Sequence, residues 1–387
     1  MNRFVKILLG LIAMLALLAL YVLNPRLPTP EGEQSALLYQ DGVLGVSSEP
    51  IALVDSSRPT NANGDFAGSP VRELNGFIWY PETKTETETE TETETQKPFP
   101  LIVYSHGFMS SVAEADYLVD FLVPKGYVVV AVNYPLSHGG APGGPNINDV
   151  LNQPGDLSFV LDSLLARNAD AQDSLYGLVD PSRIAAVGLS LGGLTTQLAA
   201  FHRDVRDPRL SAAVSIAGPS VFLERRFFQT ADIPFMMIAG SADAIVPYEA
   251  NAAPIPGKTD NSLLVTLAQG THVGFAGMSS VFFRWFEHPD RLVCPLLLSG
   301  LDRGDEAAEA MFAPDPDIGI SAAVAPPCVM ETYARAMRPA EQQLLTRLAL
   351  YAFLEREFSH DLERRQQMDR YLTVGFASEN PLAEVTP

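Results

Sequence analysis

Ile184-Ala185-Ala186-Val187-Gly188-Leu189-Ser190-Leu191-Gly192-Gly193 reads as an apolar strand that runs, with almost no loop, into a helix, and a single serine stands at the junction. A helical pattern follows over residues 191–202. A serine on so tight a turn points its hydroxyl away from the backbone. Glycines flank it because Cβ atoms there would collide with the neighbouring strand and helix. The pattern Gly-x-Ser-x-Gly is common by chance, and it is the strand-to-helix setting that gives it weight.

On both sides of this junction, from Val71 onward, apolar β-rich runs alternate with longer helical patterns. The alternation predicts an α/β fold, a mostly parallel sheet with helices on both faces. Strands are expected over residues 73–80, 101–105, 127–133, 184–189, 212–216, 235–240 and 263–267. Their continuous apolar character suits parallel strands buried on two sides. Helices are expected over 113–123 and 149–166, and an amphipathic helix over 340–358.

A serine hydroxyl is a weak nucleophile at neutral pH. It needs a base within hydrogen-bond reach, itself oriented by a third group. In this strand–turn–helix setting the chain order is serine, acid, histidine. The sequence supplies Asp243 in Gly240-Ser241-Ala242-Asp243-Ala244-Ile245-Val246-Pro247 and His272 in Gly270-Thr271-His272-Val273-Gly274-Phe275. Each follows an expected strand, so Ser190, Asp243 and His272 should converge at the carboxyl edge of the sheet, where open α/β folds bind ligands. A tetrahedral oxyanion also needs fixed N–H donors. The amides of Leu191, at the start of the helix, and of Phe108, directly after the strand 101–105, stand in the expected places. His106 precedes the nucleophile and abuts Gly107, which reads as loop-shaping. His138 follows a strand end, either lining the pocket or lying on a surface loop. His202, His288 and His360 have no strand-end context.

The formal net charge is −20, and Glu86, Glu88, Glu90, Glu92 and Glu94 of a low-complexity Thr-Glu tract contribute five of those charges. Such a surface argues against nucleic acid as a partner. The tract, at 83–97, reads as a solvated loop that cannot build a core. At the N-terminus Arg3 and Lys6 precede an uncharged apolar run of 17 residues, 7–23, and a Pro-rich linker follows to residue 30. Length and the lack of an Ala-x-Ala site favour an uncleaved membrane anchor over a cleaved secretion signal. The charge asymmetry puts the body outside the cytoplasm, periplasmic or at the cell surface. Cys294 and Cys328 form an even pair suited to a disulfide there, worth about 3–4 kcal/mol on the chain-entropy model. Neither has the neighbours or spacing of a metal or redox site. No metal or organic cofactor is called for.

With these residues assembled, the stretch from about Arg72 to Phe275 resembles the α/β-hydrolase superfamily, in its dienelactone-hydrolase-like and platelet-activating-factor-acetylhydrolase-like branches. Tyr104-Ser105-His106-Gly107-Phe108 looks like the family's oxyanion strand end, and Asn152-Gln153-Pro154-Gly155-Asp156 resembles the opening of its next helix. Dienelactone hydrolases use cysteine as nucleophile, so the serine here implies carboxylester or acyl-ester hydrolysis instead of lactone opening. Leu189 stands where many lipases and bacterial polyester hydrolases carry an aromatic residue or His, a departure that counts against polymer or long-lipid substrates.

The organisation that follows is an anchor or signal with linker at 1–30, a catalytic core at 31–275, a segment at 276–339 able to cap the site, and a C-terminal helix and tail at 340–387. The middle segment carries Phe282, Phe283, Trp285, Phe286 and both cysteines. The expected activity is a serine esterase acting on a small-molecule ester through an acyl-enzyme. A peptidase of the same fold, and a non-catalytic envelope binding protein retaining it, stay open as alternatives.

Overall fold

The computed structural model describes residues 28–82, 98–301 and 313–387, together with residues 5, 7, 9, 11–15 and 17. The Thr-Glu loop expected at 83–97 lies outside the described residues. Among the described residues one sheet holds nine strands: β1 (Val46–Asp55), β2 (Arg72–Pro81), β3 (Phe99–Ser105), β4 (Val128–Asn133), β5 (Val179–Leu189), β6 (Ala212–Ile216), β7 (Phe235–Gly240), β8 (Ser262–Leu267) and β9 (Ala383–Thr386). They lie in the order β1-β2-β4-β3-β5-β6-β7-β8-β9. The six strands from β4 to β8 in that order are parallel, β2 is antiparallel to both its neighbours, and β9 is antiparallel to β8.

The longer helices are α1 (Glu33–Tyr39), α2 (Asp116–Leu122), α3 (Gln153–Ala169), α4 (Leu191–Phe201), α5 (Asp290–Leu301), α6 (Pro339–Phe358) and α7 (Leu362–Arg370). Leu101 and Val103 of β3 and Ile184 and Ala186 of β5 share one core with α3 and α4. Ile102 and Tyr104, with Ala185 and Val187, share the other with α2 and α6. Successive strand residues thus serve opposite faces. Since both faces are covered there, the parallel strands read as largely apolar runs, whereas β2 alternates buried with exposed residues.

Two strands escaped the sequence pattern. β1 is an edge strand that carries Pro50 and alternates exposed with partly or fully buried residues, and an edge is where a sheet tolerates proline. β9 has only four residues and is fixed by its pairing of Leu267 with Ala383 through Leu264 with Thr386.

The helix at 340–358 is not amphipathic. Gln342, Gln343 and Thr346 of α6 are as buried as Leu348 and Phe353, because each polar side chain has a bonded partner there: Gln342 at Thr271, Gln343 at the Ala276 carbonyl, Thr346 at the Gln342 carbonyl. Each fully buried Leu or Phe of α6 contributes about 1.5–3 kcal/mol relative to exposure.

Among the described residues no helix is long and apolar enough to cross a membrane. The anchor expected over 7–23 therefore has no support from the structure. Most of that run lies outside the described residues.

Candidate active site

Ser190 sits between β5 and α4 with φ 57° and ψ −119°. This backbone conformation costs a non-glycine residue about 1–3 kcal/mol and persists only where its surroundings hold it. Its N–H donates to the Ile216 carbonyl of β6 across 2.8 Å. The flanking glycines are forced by close approach. A Cβ at Gly188 would lie 2.2 Å from the Gly192 oxygen, and one at Gly192 would lie 1.9 Å from the Ser105 oxygen of β3.

Asp243 follows β7 and His272 follows β8. The structure joins these two directly: His272 Nδ1 lies 2.8 Å from Asp243 Oδ2. The other carboxylate oxygen, Oδ1, accepts the N–H groups of Ile245 at 2.8 Å and Val246 at 2.7 Å. Asp243 is thereby fixed with one oxygen left for the imidazole, and Nδ1–H facing it leaves Nε2 as the free ring nitrogen. Burial pulls His272 down, but Asp243, then Asp290 and Glu114, outweigh it and leave the imidazole above its ordinary value.

The loop after β3 faces Ser190. A Cβ at Gly107 would stand 3.4 Å from Ser190 Cβ. On either side of Phe108 the backbone amides are committed, Gly107 N–H to Glu114 Oε1 at 2.9 Å and Met109 N–H to the Ser137 carbonyl at 2.9 Å. Glu114 is buried, also accepts from the Tyr104 hydroxyl at 2.9 Å, and is raised by that burial against the lowering effect of its hydrogen bonds. His106 is not a free base. Burial pushes it down to about 4, its Nδ1 meets the Gly107 carbonyl at 2.8 Å, and its Nε2 accepts from the Tyr134 N–H at 3.1 Å. His138 is half-buried and lines a cavity of about 380 Å³ with Thr60, Glu73 and Asn133.

Sequence reasoning missed two acids. Glu114 is one; the other is Asp290, the first residue of α5, fully buried, with its carboxylate on the loops that carry Asp243 and His272. Neither belongs to a local motif. Asp290 is defined by backbone amides distant in the chain, and Glu114 by the Gly107 amide and the Tyr104 hydroxyl. The segment 152–156 has a packing role: Asp156 pairs with buried Arg72, and Gln153 of α3 bonds Thr195 of α4 and Ser137 in the loop after β4.

Cys294 and Cys328 are joined in a disulfide. Helix α5 runs past the loop after β3, since a Cβ at Gly300 would lie 3.0 Å from Met109 Sδ and 3.5 Å from the Phe108 ring. Leu296 on α5, and Met278, Phe282, Trp285 and Phe286 before it in the chain, are exposed. A larger cavity of about 1350 Å³ opens at the far end of the sheet, beside Phe99 and Arg183 where β3 and β5 begin. It is remote from Ser190 and has no part in the site.

The family model described as PETase, PET hydrolase-like, matches residues 75–280, more than half of the chain. The chain belongs to the PET hydrolase-like family. Cutinase est1 of Thermobifida alba is 26% identical over 257 residues, covering 64% of this chain and 70% of the relative. Cutinase est2 of the same organism is 25% identical over 249 residues, covering 62% and 67%. A solved structure, ferulic acid esterase from Streptomyces cinnamoneus, matches with 17% identity and a TM-score of 0.48 over 82% of this chain and 91% of that one. This PET hydrolase-like chain is a carboxylic ester hydrolase of the α/β-hydrolase serine esterase branch. Leu189, read as a departure from polyester hydrolases, does not remove it from the PET hydrolase-like family.

Proposed function

We propose that this PET hydrolase-like enzyme cleaves its ester through a Ser190–His272–Asp243 triad and an acyl-enzyme. The observation that carries the reading is the 2.8 Å contact between His272 Nδ1 and Asp243 Oδ2, set beside a serine held at φ 57°. His272 Nε2 takes the Ser190 proton as Oγ attacks the ester carbonyl, and Asp243 stabilises the imidazolium that forms. The amides of Leu191 and Phe108 receive the oxyanion, each worth about 10²–10³ in rate. His272 then protonates the leaving alcohol, and water activated by the same imidazole releases the acid.

The approach of Gly300 on α5 to Met109 and Phe108, with the exposed apolar side chains that precede α5 in the chain, supports a role for residues 276–339 as one wall of the substrate site over the core at 31–275, favouring an apolar acyl group. The family match favours ester over peptide bonds and sets aside a non-catalytic role. The disulfide supports an extracytoplasmic setting, and the apolar run 7–23 supports export, as signal or as anchor.

Turnover of p-nitrophenyl butyrate and of a peptide p-nitroanilide tests this reading. The wild type should cleave the ester faster than the amide, and Ser190→Ala should lose about 10³-fold or more in kcat. Faster amide cleavage, or a Ser190→Ala variant of undiminished rate, would contradict it.

A further inference from the structure

Asp290 places its carboxylate where two separate loops meet. Oδ2 accepts the Ala244 N–H and the His272 N–H, each at 3.0 Å, and Oδ1 accepts the Val273 N–H at 2.8 Å. One side chain thus spans the loop of the acid and the loop of the histidine. Four residues further along α5, Cys294 is bonded to Cys328, and the Cys328 N–H donates to the Ala244 carbonyl at 2.6 Å. Both backbone polar groups of Ala244 are therefore held from outside its own loop, the N–H by Asp290 and the C=O by Cys328. The disulfide joins the two segments that hold them.

We propose that Asp290 is a positioning residue for His272 and Asp243, and that the Cys294–Cys328 disulfide locks it in that place. The inference rests on the triad reading. Asp290 touches no reacting atom; it acts through the backbone amides that set where the imidazole and its carboxylate partner stand. Its negative charge also faces His272, together with those of Asp243 and Glu114. Loss of a buried acceptor of three amides lets the two loops move apart, and a displacement of about 1 Å at reacting groups costs up to about 100-fold in rate.

The experiment uses the full chain as wild type, Asp290→Asn, and the paired variant Cys294→Ala/Cys328→Ala, with p-nitrophenyl butyrate kinetics across pH and fluorophosphonate labelling of the wild type. For Asp290→Asn the expected result is a kcat lower by about tenfold or more, KM changed by less than about threefold, and an acid limb moved to lower pH because His272 has lost a neighbouring negative charge. The paired cysteine variant, with Asp290 intact, should lose kcat in the same direction. An Asp290→Asn enzyme that unfolds at lower temperature but keeps wild-type kcat and acid limb overturns the positioning role. Should Asp290→Asn not fold, the cysteine variant decides: reduced kcat in a folded protein supports the proposal, and wild-type kcat overturns it. Failure of the triad reading shows separately, as a wild type that the fluorophosphonate does not label at Ser190.

Discussion

His272 and Asp243 meet at 2.8 Å with the carboxylate's second oxygen already taken by two backbone amides. The carboxylate has no freedom to turn away, so the imidazole is held in one tautomer. Its protonation then governs activity. Negative charge from Asp243, Asp290 and Glu114 holds His272 above 6.5 despite burial, and only the neutral form can accept the Ser190 proton. The acid limb of kcat/KM should accordingly have its midpoint above 6.5, with activity lost as pH falls through it. A pH–rate profile with its midpoint at or below that value would remove this account of the base.

Glu114 holds the loop that faces Ser190, taking the Gly107 N–H and the Tyr104 hydroxyl on one oxygen. Glu114→Ala orphans two buried donors and should destabilise the fold by about 2–4 kcal/mol, at about 1–2 for each donor. Glu114→Gln retains a carbonyl acceptor and should recover most of that loss. Urea denaturation of the two variants compares them; equal stability of both would show that the acceptor is not what matters.

Gly192 has no room for a side chain, since its added Cβ would meet the backbone oxygens of Ser105 at 1.9 Å and His106 at 2.8 Å. Gly192→Ala must push the end of β3 away from α4, costing about 3 kcal/mol and disturbing the Phe108 amide along with it. Gly257, whose Cβ would meet nothing within 4 Å, is the control, and Gly257→Ala should stay within about 0.5 kcal/mol. Thermal unfolding with ester turnover reads both. A fully active Gly192→Ala enzyme would show that the turn is looser than these contacts imply.

The parts of the fold that could be read in the sequence are those set by local physics. Residues 184–189 of β5, Ser190 and α4 announce themselves because a stretch buried on both faces is apolar throughout and the turn after it needs Gly188 and Gly192, whereas the start of β5, with Asp180 and Arg183, carries no such mark. β1 does not, because an edge strand needs neither continuous apolarity nor freedom from Pro50. The buried face of α6 was hidden for another reason: Gln342 and Gln343 look solvent-facing until the Thr271 amide and the Ala276 carbonyl are seen opposite them. Glu114 and Asp290 share that difficulty. The partners of Asp290 are backbone amides, which leave no trace in residue type, and Glu114 bonds the Gly107 amide and a Tyr104 hydroxyl that no motif links to it, whereas Ser190, Asp243 and His272 are marked by strand ends.

Arg72 is fully buried between Asp149 and Asp156, with contacts of 2.6–3.1 Å to both. Burial alone would lower its affinity for a proton, but the two carboxylates reverse that and keep it charged. Arg72→Met should cost about 3–5 kcal/mol by leaving buried carboxylates short of a cation, although Arg58, 2.9 Å from Asp156, keeps one of them partly paired. Asp149 also accepts the Leu136 N–H, so the loop bearing His138 should loosen. Chemical denaturation gives the stability change, and a loss below about 1 kcal/mol would mean that the carboxylates take up protons instead.

The most direct measurement is mass mapping of the native, full-length protein after reaction with a fluorophosphonate. The wild type should carry one phosphonyl group per chain, located on Ser190, with the adduct absent from Ser190→Ala and its formation sharply slowed in His272→Ala. A folded, ester-hydrolysing wild type that carries no adduct, or carries it on another residue, would contradict the assignment of Ser190 as the nucleophile.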